Sequence, residues 1–204
     1  VMMCQAKRAG YERQHTALDL HDRKCDLNLA RLHKAGIKGV RTVSGDACEL
    51  DEVLTSFDAM LGEPALFDTV FIDAPCSGTG TMRRHPEIPW RLTENDVTTE
   101  LPKLQLTMLK EAAARVAAGG ELIYATCSVF DEENTQVVDA FLTSPEGVGF
   151  IVAPLSEAQI LQLPDFSQAK KLASVRQNDR GLFQSVPTNA DSYDGHFCAR
   201  LVRK

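Results

Sequence analysis

The chain has 204 residues, 44% of them hydrophobic and 25% charged, which suits one well-cored domain of ordinary size. Its formal net charge of -6 excludes an overall basic nucleic-acid glove, although Arg83-Arg84-His85 offers a local basic patch. No run of about 20 apolar residues offers a membrane span, and the start, Val1-Met2-Met3-Cys4-Gln5-Ala6-Lys7-Arg8, lacks a signal-peptide core, so a cytoplasmic location is expected.

In chain order, residues 15–20 read as a short strand. Leu27, Leu29, Leu32 and Ala35 give residues 22–35 mostly helical spacing, with Gly36 as the stop. A second strand over 39–44 ends in Gly45-Asp46, and a helix follows around 50–61. Leu66-Phe67-Asp68-Thr69-Val70-Phe71-Ile72 is the clearest buried strand, and it runs into Asp73-Ala74-Pro75-Cys76. A loop rich in Gly, Pro and Arg occupies 74–92. Residues 99–118 are predicted as one helix stopped by Gly119-Gly120, followed by a strand over 121–127 and a helix over 131–143. Short β-like pieces fill 147–204. Strands alternating with helices predict an α/β fold with a mostly parallel sheet, and residues 1–204 read as a single domain.

In such sheets ligands bind at the carboxyl ends of the strands. That rule singles out Asp19, Asp46, Asp73 and Cys127, with Cys76 in the following loop. Read alone, Asp19 is balanced between holding ribose hydroxyls and capping a helix, a cap that Asp22 suits better. Asp46 in isolation reads as a turn aspartate, with an exocyclic amino group such as that of adenine as the sharper reading. Pro75 fixes its φ, so the chain leaves the sheet rigidly, and Gly78 and Gly80 permit a tight turn beyond it. The Gly78–Gly80 pair does not continue into a dinucleotide fingerprint, and Met82 stands where a cysteine phosphatase would need arginine. The six cysteines show no C-x-x-C pair, so neither a metal site nor a disulfide framework is expected. Cys4, Cys25, Cys48 and Cys198 read as small buried hydrophobes. Cys76 and Cys127, each just past a strand end, point to a shared pocket.

Here a family resemblance becomes specific. Asp73-Ala74-Pro75-Cys76-Ser77-Gly78-Thr79-Gly80 with Arg83-Arg84-His85-Pro86-Glu87 resembles motif IV of the RNA cytosine-C5 methyltransferases of the Sun (Fmu; Nol/Nop/Sun) family. Tyr124-Ala125-Thr126-Cys127-Ser128 with Glu132-Glu133-Asn134 resembles its motif VI, and Asp194-Gly195-His196-Phe197-Cys198-Ala199 its closing motif. The Arg-Arg-His-Pro-Glu string is most similar to the RsmB-like branch acting on bacterial 16S rRNA. The resemblance covers most of 15–145 and the final strand region. It implies a Rossmann-like S-adenosylmethionine-dependent methyltransferase fold that makes 5-methylcytosine in unpaired or flipped-out RNA.

It also implies roles. Cys127 adds to C6 of the base, Cys76 helps resolve the adduct, and Asp73 hydrogen-bonds near N3 and the methionyl end of the donor. Asp19 takes the ribose and Asp46 lies beside the adenine of S-adenosylmethionine, while Pro75, Arg83, Arg84 and His85 lie beside the RNA. The family's glycine-rich motif I is not found before Asp19, where Gly10 is the single glycine. The first strand of the fold is therefore expected to be missing, either because the chain is a fragment or because the protein is naturally truncated. Two other classes stay open: a catalytically inactive RNA-binding or ribosome-assembly protein, and a methyltransferase acting on nitrogen, which would leave the second cysteine idle.

Overall fold

Two short apolar segments, His15–Asp19 (β1) and Val40–Ser44 (β2), pair in parallel with Asp19 opposite Ser44. The computed structural model describes residues 15–62, 64–156, 175–187 and 193–204. Contacts divide the chain into two units, Val1–Ala65 and Leu66–Lys204.

In the first unit the crossover between β1 and β2 is the helix Asp22–Lys34 (α1), which buries Cys25. Asp22 stands inside its first turn rather than at the cap; the cap residue is His21, which supplies no side-chain bond. The helix expected around 50–61 is two pieces, Leu50–Val53 (α2) and Thr55–Leu61 (α3). The junction residue Leu54 is buried, and Gly62, with φ 77°, ends the second piece.

In the second unit Phe67–Asp73 (β3) runs parallel to Val116–Thr126 (β4). Beyond β4 the sheet turns antiparallel. His196–Arg203 (β8) lies against β4, and its other side takes Phe150–Val152 (β5) and Phe183–Ser185 (β7). Val175–Gln177 (β6) pairs with β7. Alternate β4 residues Leu122, Tyr124 and Thr126 are buried on one face. Helices Leu101–Ala114 (α4) and Thr135–Leu142 (α5) contribute Leu109, Ala112, Val137, Val138 and Phe141 to the core. Burial of this kind contributes about 25 cal/mol per Å² of apolar surface.

One expected boundary is corrected. The helix predicted over 99–118 begins as a π-helical turn at Asp96–Glu100 and stops at Ala114, and Val116 already belongs to β4. Gly119-Gly120 is not a helix stop but an irregularity inside the strand. Phe67 faces Val116 while Thr69 faces Glu121, so extra β4 residues loop out between the two pairs. Gly119 has φ 73°, and a Cβ on Gly120 would approach the Asp68 carbonyl oxygen to 3.0 Å. The helix expected over 131–143 is likewise divided at Asn134 into a 3₁₀ turn, Asp131–Glu133, and α5.

Candidate active site

Because Asp73 faces Ala125 in the β3–β4 register, the two strands leave the sheet side by side. The Ala74 N–H donates to the Ala125 carbonyl at 2.9 Å, extending the pairing into the loop. Cys76 and Cys127 therefore meet, with sulfurs 3.3 Å apart, and the Cys127 amide donates to Cys76 Sγ at 3.3 Å. The hydrogen bond from Cys76 is the largest influence on Cys127, whose thiol is held down to about 7 against burial and the nearby Asp73 and Glu133 charges. The same bond, with burial, pushes Cys76 up. Of the two thiols, Cys127 is therefore the easier to ionise, its negative charge stabilised by the hydrogen bond from Cys76. The Asp73 side chain is exposed and has no hydrogen-bond partner among the described residues.

A buried polar cluster supports the pair. The Ser77 amide donates to Glu133 Oε1 at 2.8 Å, and the Ser128 hydroxyl donates to Oε2 at 2.5 Å. Gln105 Nε2 donates to Glu133 Oε1 at 3.1 Å and to the Pro75 carbonyl at 3.0 Å. Tyr124 Oη donates to the Glu133 carbonyl at 2.5 Å, and Asn134 Nδ2 donates to the Ser128 carbonyl at 3.0 Å. Glu133, Asn134, Gln105 and Ser128 are each 0% exposed, so all of these bonds except the part-buried one to Pro75 form out of water, where polar groups need partners most.

A backbone contact closes the far side. Gly80 donates to the Cys127 carbonyl at 2.9 Å and accepts from the Gly195 amide at 2.8 Å. A Cβ on Gly80 would fall 2.1 Å from the Gly195 oxygen, so only glycine fits there. Beside it, Asp194 accepts from Arg83 at 3.1 Å and from Arg84 Nε at 2.6 Å. Burial opposes the charged form of Asp194, but the two arginines hold its carboxyl below the usual range. Arg83 and Arg84 therefore serve an internal ion pair, while their exposed side chains still present a basic surface. His85 is exposed and pairs with Glu87 at 3.4 Å, and Pro75 is exposed. A pocket of about 340 Å³ opens beside Thr79, Met82, Val97 and Phe130, but neither cysteine lines it.

In the first unit, Asp19 Oδ1 accepts the His21 amide at 3.0 Å and lies 3.8 Å from Lys24 Nζ. Asp46 Oδ1 accepts the Cys48 amide at 2.8 Å. Both are backbone-binding turns at the carboxyl ends of parallel strands. Sequence reasoning found all five strand-end residues but gave no role to Glu133, Gln105, Ser77, Ser128 or Asp194. The quoted motif strings contained four of these, so the signal was there as letters and not as contacts. Two expected buried cysteines differ as well: Cys48 and Cys198 are half-buried, and burial raises Cys198 to about 11. Cys4 lies outside the described residues. Among the described residues no group of three metal-binding side chains converges, and no helix is long and apolar enough to cross a membrane.

Comparison with known proteins adds the lineage. The chain is 49% identical over 138 residues to ribosomal RNA small subunit methyltransferase B of Enterobacter sp. (strain 638), covering 68% of this chain and 27% of that one. The same protein of Salmonella arizonae is 37% identical over an equal span. The chain thus spans about a quarter of the length of these curated relatives. Among solved structures, PH0851 superposes with a TM-score of 0.74 at 28% identity, covering 96% of this chain and 38% of that one. NSun6 from Pyrococcus horikoshii, solved with SFG, gives 0.70 at 19% identity, covering 98% and 44%, a likeness of fold alone. Together they bear out the Rossmann-like methyltransferase fold. A family model described as 16S rRNA methyltransferase RsmB/F matches residues 6–202, and the chain belongs to that family.

Proposed function

We propose that the chain carries the base-attacking half of an RNA cytosine-C5 methyltransferase acting on 16S rRNA in the cytoplasm, with residues 1–204 belonging to one catalytic domain. The observation that carries this reading is the thiol pair at 3.3 Å, with one member held near neutral pH. Cytosine C5 is a poor nucleophile, and a thiolate added at C6 makes it an enamine-like one. Nitrogen methylation would need no such pair.

In this reading the Cys127 thiolate forms the bond to C6, while Asp73 hydrogen-bonds the ring near N3 as charge develops there. S-adenosylmethionine, when bound, supplies the electrophilic methyl group; one neighbour of the same fold was solved with SFG, an analogue of it. Asp19 and Asp46 fit its nucleoside end, because carboxylates at parallel strand ends accept ribose and amino hydrogens. Once Cys127 is bonded to carbon, it no longer holds the hydrogen bond that is the main cause of the raised Cys76 value. Cys76 therefore becomes easier to ionise when a base is needed to take the C5 proton. As that proton leaves, the C6–S bond breaks and Cys127 departs as thiolate. Pro75, Arg83, Arg84 and His85 line the RNA approach, the arginines offering phosphate contacts.

The test is a denaturing-gel assay for RNA–protein adducts with the donor present. Cys76→Ala should accumulate the adduct and Cys127→Ala should form none. An adduct that survives loss of Cys127 overturns the assignment, and absence of any adduct or product favours an inactive RNA-binding role.

A further inference from the structure

We infer that Glu133 is a positioning residue that sets the spacing of the two sulfurs by tying together the segments that carry them. The inference rests on the thiol-pair reading above and deepens it.

Glu133 sits at the end of the 3₁₀ turn Asp131–Glu133, fully buried, and its carboxylate reaches both sides of the pair. Oε1 accepts the amide of Ser77, the residue after Cys76, and Oε2 accepts the hydroxyl of Ser128, the residue after Cys127. Gln105 binds the same Oε1 and also the carbonyl of Pro75, the residue before Cys76. Ser77 Oγ donates to Ser128 Oγ at 3.1 Å, closing a ring through the two serines and the carboxylate. The main-chain oxygen of Glu133 accepts from Tyr124, which stands on the strand that ends at Cys127. None of these partners carries a positive charge, so the buried carboxylate is satisfied by hydrogen bonds alone. A buried carboxylate is an expensive way to fill a core. Here every donor it collects belongs to, or braces, a cysteine-bearing segment.

The test measures the thiols without RNA, in Glu133→Gln and Ser128→Ala, each below its own melting temperature. The first readout is the pH midpoint of Cys127 alkylation by iodoacetamide, resolved by peptide mass spectrometry. Two effects oppose one another: losing the Glu133 charge lowers the midpoint, whereas losing the close Cys76 hydrogen bond raises it, and the second is the larger influence. Positioning therefore predicts a rise in Glu133→Gln, with alkylation at pH 7 slowed about tenfold, and a smaller rise in Ser128→Ala. The second readout is the equilibrium of the Cys76–Cys127 disulfide with glutathione, which should move towards the reduced form about tenfold as the sulfurs separate. A midpoint that falls or stays put, with the disulfide equilibrium unchanged, overturns the proposal. If Glu133→Gln does not fold, Ser128→Ala decides by the same two measurements. Failure of the wild-type chain to form an RNA adduct would sink the catalytic reading while leaving these thiol measurements interpretable.

Discussion

The two parallel strand pairs of this chain end in the same kind of place and are finished in opposite ways. At the end of β1 and just beyond β2 stand aspartates whose carboxylates are aimed by their own neighbours, each accepting an amide two residues on. After β3 and β4 come thiols whose two loops are tied to each other, across more than fifty residues of sequence, by a buried ring of serines, glutamine and glutamate. A carboxylate that has only to accept hydrogen bonds can be aimed by its own turn, so local geometry is enough. A thiolate poised by a 3.3 Å contact depends on that distance for its charge, and so requires a rigid frame.

That contrast is sharpest where the frame touches backbone. Gly80→Ala should be the most damaging small change, destabilising by about 1–3 kcal/mol or more, because its Cβ meets the Gly195 main chain. Thermal denaturation should show a fall of several degrees; an unchanged transition would mean that the contact yields easily. Next in size is the pH response of the wild-type pair. Cys127 loses its proton as pH rises through about 7, so its alkylation should slow about tenfold for each unit below that and level off above it. Cys198, raised to about 11 by burial, should stay unreactive through the same range. A common profile for both thiols would erase the distinction. The smallest effect belongs to the other strand pair. Asp46→Ala removes a bond to an amide at an exposed turn, so stability should change by no more than about 0.5 kcal/mol. Calorimetry should nonetheless find weaker S-adenosylmethionine binding, and a variant that melts far lower would show the first unit to be framed as tightly as the second.

Much of the fold was legible because periodicity and turn chemistry are local. The strands at 15–19, 40–44 and 67–73 fell where apolar runs meet Asp or Gly, and both cysteines stood immediately beyond strand ends. The end of α4 was misjudged because Ala112, Ala113, Val116 and Ala117 extend an apolar pattern that helix and strand share. Pairing of Phe67 with Val116 decided for strand, and pairing is a long-range fact. The same limit hid the frame of the site. Glu133 reads as one more acid in an Asp-Glu-Glu run, since its partner Ser77 lies on another strand's loop. Arg83 and Arg84 read as phosphate contacts, since Asp194 lies near the far end of the chain.

The meeting of Gly80 with Gly195 has a consequence for the order of folding. The two glycines stand more than half the chain apart, so the contact closes one of the largest loops in the molecule, and such closures come late. Strands β3 and β4 are joined through one helix and can pair earlier. The loop beyond Cys76 gains this clasp only when β8 has docked, after the β3–β4 pairing that brings the two sulfurs together. The Gly80–Gly195 contact is thus a late lock on a site whose thiols have already met.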